Sequence, residues 1–471
     1  MRLLAPILLL TITILSYLPA FRNGFVYDDH YQIEKNPYIR DFSQLKILLT
    51  KEVWYFSPAT KSNNYRPVSM LSYLLIHQLF GFNPVAYHLA NLLFYLVTVL
   101  VVWRIFLHYV PALSAFVGAL LFSTHPVHVE CVAWIGGSHD ILCGLFLFVS
   151  LLLYLQKKNV LSLISFALAL FSKETAIAFP VIVAADYFLF GNRDKRNAMN
   201  WCVGAITLVV FYSAIRIYAL GSFLRVNESS SDPLSIVQAG LTFCGLYLSK
   251  MFLPIHLNAF YDFSIPIPFG VSWPGLVVLC CVLILAFTFR KNKIFVFGCV
   301  WFATLLLPAL FSKGVSPALF AERYLYLPSA GFFLALISFP LTTFLPPALI
   351  AIALLFGGMT YERSKVWHDD LTLWKDTVEK SPLSPTANYN LGTAYARQKD
   401  YEHAAVYYRQ AIVMNPSRSD PYYDLAICEH MLGRDNEARK SLQLFLKYSS
   451  PSDPRRKDAE EKVRQLSTLD K

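Results

Sequence analysis

The chain has 471 residues, 55% of them hydrophobic and only 15% charged, where a water-soluble protein carries about 25% charged residues. Its formal net charge is +10, but in so apolar a chain Lys and Arg mark cytoplasmic loops, and the excess gives no reason to infer a nucleic-acid partner. The eight cysteines show no CxxC or metal-ligand spacing, so neither a disulfide framework nor a zinc site is read from them.

From Met1 to about Gly358, apolar runs of helical length follow one another; from Thr360 to Lys471, polar and charged residues dominate. This predicts an all-α chain: a polytopic membrane helix bundle over 1–359, then a soluble helical domain over 366–470. A span needs about 20 apolar residues. Candidates lie near 3–20, 85–107, 111–130, 139–156, 159–173, 175–190, 200–219, 273–289, 294–311, 324–340 and 343–359. The first is read as an uncleaved span, because it lacks a small-x-small cleavage site. Segment 67–80 is too short to cross and reads as an interfacial helix. Segment 234–253 is ambiguous.

Basic clusters orient the spans. Arg104, the pair Lys157 and Lys158, the group Arg193, Lys195 and Arg196, and the group Arg290, Lys291 and Lys293 are expected inside. All four fit if Met1 is inside and 234–253 does not cross completely. That gives about 11 spans and an extracytoplasmic C-terminal domain. Loops 21–84, 131–138, 219–272 and 312–323, and the region of Lys173 and Glu174, then fall on one outer face, which collects nearly every unusual polar cluster of the membrane half.

The first outer loop carries Asp28, Asp29, His30, Glu34, Asp41 and Arg66. Adjacent carboxylates beside a hydrocarbon slab are either solvated or working, and both readings stay open. His125, His128 and Glu130, followed by His139 and Asp140, suggest a metal set or hydrogen-bonded boundary residues. Lys173 and Glu174 lie between two short spans, either as a neutralising pair or with Lys173 on a donor phosphate. Arg323, after Glu322 and before Tyr324, could clamp a phosphate by bidentate bonding, pair with Glu322, or mark the interface. One chemistry would unite these residues: sugar transfer from a lipid-linked donor. A carboxylate takes the acceptor's proton, and cations stabilise the departing phosphate. Asp29 or Asp28 supplies the first, and Lys173, Arg323 or Arg66 the second.

At 385–418, Leu391, Gly392, Tyr395, Ala404, Tyr408, Ala411 and Pro416 fall at tetratricopeptide packing positions. A weaker copy follows at 419–452, and Trp374 with Pro382 fit a partial repeat near 366–384. So short a stack needs a neighbour to bury its faces. The stack is therefore expected to dock on the membrane domain or on a partner, and through the repeats the chain would meet a protein acceptor or partner.

Taken together, these blocks resemble the transmembrane and tetratricopeptide repeat-containing O-mannosyltransferases, within the GT-C class. The resemblance rests on Asn23 to Asp29, on Tyr65-Arg66-Pro67 with Asn83 to Leu89, on His125 to Glu130, on Lys173-Glu174 and on Ala321 to Ser329. It implies a GT-C-like fold and inverting transfer of mannose from a polyprenyl phosphate to Ser or Thr hydroxyls of protein. The lipid-phosphate sugar acts as co-substrate, and no cofactor is certain, a divalent metal included. It also implies an acidic base in the first outer loop, with Asp29 expected to be the more essential of the pair. One departure stands out: Gly137-Ser138-His139-Asp140 replaces the family's Gly-Arg-Ala-Asp, which leaves the donor headgroup open. A competing reading makes the chain a non-catalytic membrane anchor that presents repeats as an assembly scaffold.

Overall fold

The computed structural model describes residues 4–56, 62–191, 195–222, 232–263, 267–310, 318–339 and 346–468. Among these residues all regular structure is helical. The chain divides into two units: one runs to His368, except for the segment Asn258–Asp262, which belongs with Asp369 onward in the other.

The first unit opens with α1 (Leu4–Ser16) and a loop holding α2 (Leu45–Thr50). Then come α3 (Pro67–Phe80), α4 (Pro84–Tyr109), α5 (Ala112–Thr124), α6 (Val129–Ala133), α7 (Ser138–Leu155) and α8 (Asn159–Ser172). The unit continues with α9 (Phe179–Phe190), α10 (Lys195–Leu220), α11 (Pro233–Phe252), α12 (Phe269–Thr288), α13 (Lys293–Leu310), α14 (Tyr326–Ile337) and α15 (Pro346–Lys365). Local sequence sets several boundaries. Pro84 fills the first turn of α4, where no amide partner is missed, and the Asn83 side chain accepts from the Val85 amide at 3.1 Å. Pro126 breaks the expected span 111–130, and the chain bends by 49° between α5 and the following turn.

That bend frees carbonyls inside an apolar bundle, where each unmet group is costly. Buried hydroxyls meet them: Tyr95 donates to Ser123 O at 3.0 Å and Thr360 to Thr124 O at 2.7 Å. The bond from Thr360 also explains why α15 runs beyond the expected limit at 359. Its polar end stays in the first unit, because Thr360 and Ser364 are buried there. Elsewhere small residues let backbones close. A Cβ on Gly298 of α13 would lie 2.5 Å from Gly331 O of α14, the small-residue contact typical of membrane helices.

Five described helices are long and apolar enough to cross a membrane, six if the bent pair counts as one. The sequence-based count of about 11 is larger because it admits shorter runs. Leu4–Ser16 and Asn159–Ser172 are each only about 20 Å long and would need their flanking turns to reach across.

The second unit is a stack of helix pairs: α16 (Asp370–Lys380), α17 (Pro385–Arg397), α18 (Tyr401–Met414), α19 (Asp420–Met431), α20 (Asp435–Tyr448) and α21 (Arg456–Thr468). Side-chain caps begin α16 and α17, where Asp369 accepts from Thr372 N at 2.8 Å and Ser384 from Ala387 N at 3.2 Å. Gly392 permits close packing, since a Cβ there would stand 2.8 Å from the Tyr408 ring. Tyr389 donates to Asp424 and Tyr423 to Asp458, each at 2.6 Å. The two bonds recur with the repeat period, so α21 takes the place of a further first helix. Asn258 and Asp262 bond to Ser381 and Ser384 of this unit at 2.9 and 3.0 Å.

Candidate active site

The loop between α1 and α3 folds back on its own unit. Gly24 N donates to His368 O at 2.8 Å, and the Asn23 side chain to Ser364 O at 3.0 Å. A tight turn follows, in which Asp29 N bonds to Val26 O and Tyr27 takes φ +56°. For a non-glycine residue that conformation costs about 1–3 kcal/mol and persists only where surroundings impose it. Asp29 imposes it. Its fully buried carboxylate accepts from Val26 N at 3.1 Å and from Gly136 N at 2.8 Å. Gly136 and Gly137 make that approach possible: a Cβ would lie 2.4 Å from the Trp134 ring at one and 2.3 Å from Cys131 O at the other.

Asp28 stands next to this clamp but keeps part of its surface open. Burial pushes its carboxyl up to about 6, against the pull of Arg323 and Arg66. The sequence ranked Asp29 above Asp28 as base. Each Asp29 oxygen already accepts a backbone amide, whereas Asp28 is only half-buried.

The remaining charged residues gather behind Asp28 as buried pairs. Glu130 holds Arg323 through its guanidinium and, at 2.9 Å, through its backbone amide. Lys173 pairs with Asp140 at 2.5 Å and lies 5.3 Å from the Tyr324 ring centroid. Arg66 meets Glu174 at 3.0 Å, and Arg216 approaches the same carboxylate at 3.8 Å. Burial alone would raise Glu174, but Arg66 and Arg216 outweigh it and hold the carboxyl near 2. The neighbours Lys173 and Glu174, weighed as a neutralising pair, are thus parted, and each has a partner distant in sequence.

The proposed grouping of His125, His128 and Glu130 on a metal is not formed. His125 Nε2 faces Met251 O at 3.2 Å, while His128 bonds to Tyr95 at 2.9 Å and to Ser329 at 2.9 Å. Pro126 turns the chain between the two rings, so they do not share a helix face. With Glu130 on Arg323 and Asp140 on Lys173, no group of three or more potential ligands occurs among the described residues.

Sequence reasoning missed Arg216 and Trp134. Arg216 is buried in α10 and donates to Asn63 O at 2.6 Å. Its signal was an arginine inside an apolar run. Trp134 packs against Tyr27, Trp367 and the Arg323 guanidinium, and nothing in its local sequence marks it. A water-sized gap of about 10 Å³ lies among Asp140, Lys173, Thr175, Arg323 and Tyr324, with Leu305, Ala309 and Leu327 beside them. Two cations therefore adjoin an apolar wall.

Residues 66–216 match the family of dolichyl-phosphate-mannose-protein mannosyltransferases, and residues 385–418 match the tetratricopeptide repeat. A protein O-mannosyl-transferase of Caenorhabditis elegans, F38B6.6, is 26% identical over 87% of this chain and 63% of its own length. Mouse protein O-mannosyl-transferase TMTC3 is 24% identical over 89% of this chain and 52% of its own. The chain thus spans roughly half to two-thirds of the length of these relatives. Among solved structures, ArnT from Cupriavidus metallidurans bound to undecaprenyl phosphate aligns with a TM-score of 0.43 at 13% identity, over 95% of this chain and 81% of that one. Over most of its length, the chain is similar to protein O-mannosyl-transferases.

Proposed function

We propose that the protein is an inverting glycosyltransferase that moves mannose from a polyprenyl phosphate to a Ser or Thr hydroxyl of protein, on the extracytoplasmic face. One observation carries this reading: a part-open carboxylate, Asp28, lies in the field of Arg66 and Arg323, and Arg323 stands with Lys173 next to apolar Leu305, Ala309 and Leu327 of α13 and α14. Cations beside apolar side chains are the chemistry that a lipid phosphate needs.

In this mechanism the ionised Asp28 takes the proton of the acceptor hydroxyl as that oxygen bonds to the sugar's anomeric carbon. The bond from that carbon to the phosphate oxygen breaks, and its electron pair leaves with the lipid phosphate. Arg323 and Lys173, held by Glu130 and Asp140, stabilise the developing charge. A carboxyl raised to about 6 remains largely ionised at neutral pH and is a stronger base than an ordinary aspartate. Asp29 keeps the turn that presents it. The repeats support a protein acceptor or partner.

A parity argument supports the topology. Gly24 bonds to His368, and Glu130 to Arg323, so each pair shares one membrane face. An even number of crossings must separate the members of each pair. The helices after α3 satisfy this for both pairs if α4, α5, α7, α8, α9, α10, α12, α13, α14 and α15 cross and α11 does not.

The test is transfer by the full chain, in nanodiscs, from polyprenyl-phosphate mannose to Ser- and Thr-containing peptides. Transfer that Asp28→Asn abolishes supports the reading. Undiminished transfer by Asp28→Asn, or none from wild type with any polyprenyl-phosphate hexose, sinks it.

A further inference from the structure

A cleft of the first unit lies away from the charge cluster. Arg104, Leu107 and His108 of α4, with Leu152, Leu155 and Gln156 at the end of α7, line a space of about 370 Å³. On α4, the Asn91 side chain bonds to Trp134 O and Ile135 O beside the charge cluster. Arg104 lies about 20 Å further along the helix axis, toward the opposite membrane face.

The lining has two characters. Leu107, Leu152 and Leu155 form an apolar floor. Arg104 is exposed and stacks 5.4 Å from the Trp103 ring. Among the described residues it makes no hydrogen bond or ion pair. Lys157 and Lys158, in the turn directly after Gln156, are also exposed, and no carboxylate pairs with them among the described residues. Every cation of the charge cluster behind Asp28 has its carboxylate, whereas the three at this end have none. A cleft with uncompensated cations at the rim and leucines on the floor is complementary to an anionic amphiphile.

We propose that this cleft binds an anionic phospholipid. Its phosphodiester lies against the Arg104 guanidinium, a planar donor that grips phosphate at two points. Gln156 donates to the headgroup, the acyl chains follow the leucines, and Lys157 and Lys158 add attraction at the interface. This site is independent of the glycosyltransferase reading and is tested without an activity assay.

Native mass spectrometry of the full chain from bilayers of phosphatidylcholine with and without phosphatidylglycerol gives the readout. Wild type retains phosphatidylglycerol in preference, and its Tm rises with that lipid. Arg104→Gln weakens retention about tenfold or more, the scale of one charge-assisted contact, while Arg104→Lys keeps part of it. Leu152→Trp, which fills the apolar floor and leaves the cations intact, loses retention as well, and decides the matter should Arg104→Gln misfold. Wild-type retention by both Arg104→Gln and Leu152→Trp overturns the proposal. So does full displacement of the lipid by inorganic phosphate, which would make the cleft a phosphate site without a lipid component.

Discussion

The membrane unit and the repeat unit use polar residues in opposite ways. In the repeats, the bonds from Tyr389 to Asp424 and from Tyr423 to Asp458 recur at the repeat spacing, and most ion pairs lie at or near the surface. In the membrane unit, the pairs Arg323–Glu130, Lys173–Asp140 and Arg66–Glu174 bring together residues distant in sequence; the first two have a deeply buried partner, and the third is part-buried. The first pattern stabilises a periodic stack in small local increments. The second concentrates charge where desolvation is expensive, so each partner depends on the other. A stack can lose one bond and remain a stack; a buried cluster that loses one carboxylate leaves a cation uncompensated.

Substitutions can break or sharpen this contrast. The largest effect is expected at Asp28. Asp28→Asn lowers kcat for sugar transfer by roughly 10²–10⁴, the range for loss of a general base, with little change in Tm. Equal losses of kcat and Tm would make Asp28 a structural residue. Lys173→Met comes next, lowering transfer by about 10²-fold through loss of leaving-group stabilisation, and weakening retention of bare polyprenyl phosphate in a binding assay. Unaltered retention would remove Lys173 from the donor site.

The pH profile separates the two aspartates. With the Asp28 carboxyl near 6, kcat/KM rises as pH increases through about 6, because only the ionised form accepts a proton. Asp28→Asn abolishes that limb. Asp29→Asn retains it at reduced amplitude, since it loosens the turn without removing the base. A limb that disappears with Asp29 instead would restore the ranking expected from sequence.

Smaller effects measure the contrast directly. Glu174→Gln strips the part-buried partner shared by Arg66 and Arg216 and is expected to destabilise by about 2 kcal/mol, the scale of a charged hydrogen bond, visible as a lowered unfolding midpoint in detergent. Tyr389→Phe removes one hydrogen bond from the repeats and costs about 1 kcal/mol. If the two substitutions shift the midpoint equally, the difference between the units is not energetic.

Much of the architecture was legible in the residues. Apolar run lengths mark helices near their observed positions, Asn83-Pro84 starts α4 as a cap should, and Gly392 with Tyr408 identifies the repeat. These signals are local: a side chain's spacing, capping capacity or volume acts on residues within one or two turns. The polar motifs were legible as candidates, but their pairings were not. Lys173 adjoins Glu174 in sequence and yet meets Asp140, and His125 and His128 turn apart at Pro126 to bond with different helices.

By itself, then, the sequence determined that this is a helical membrane chain ending in tetratricopeptide repeats, because hydropathy and periodic packing residues are read along the chain. Only the tertiary structure decided that Asp29 clamps the turn while Asp28 stays open, that Arg216 joins Arg66 on Glu174, and that Arg104 is left without a carboxylate. Those outcomes depend on which buried partner each charge finds across the bundle, and burial and distance are set by packing between helices far apart in sequence.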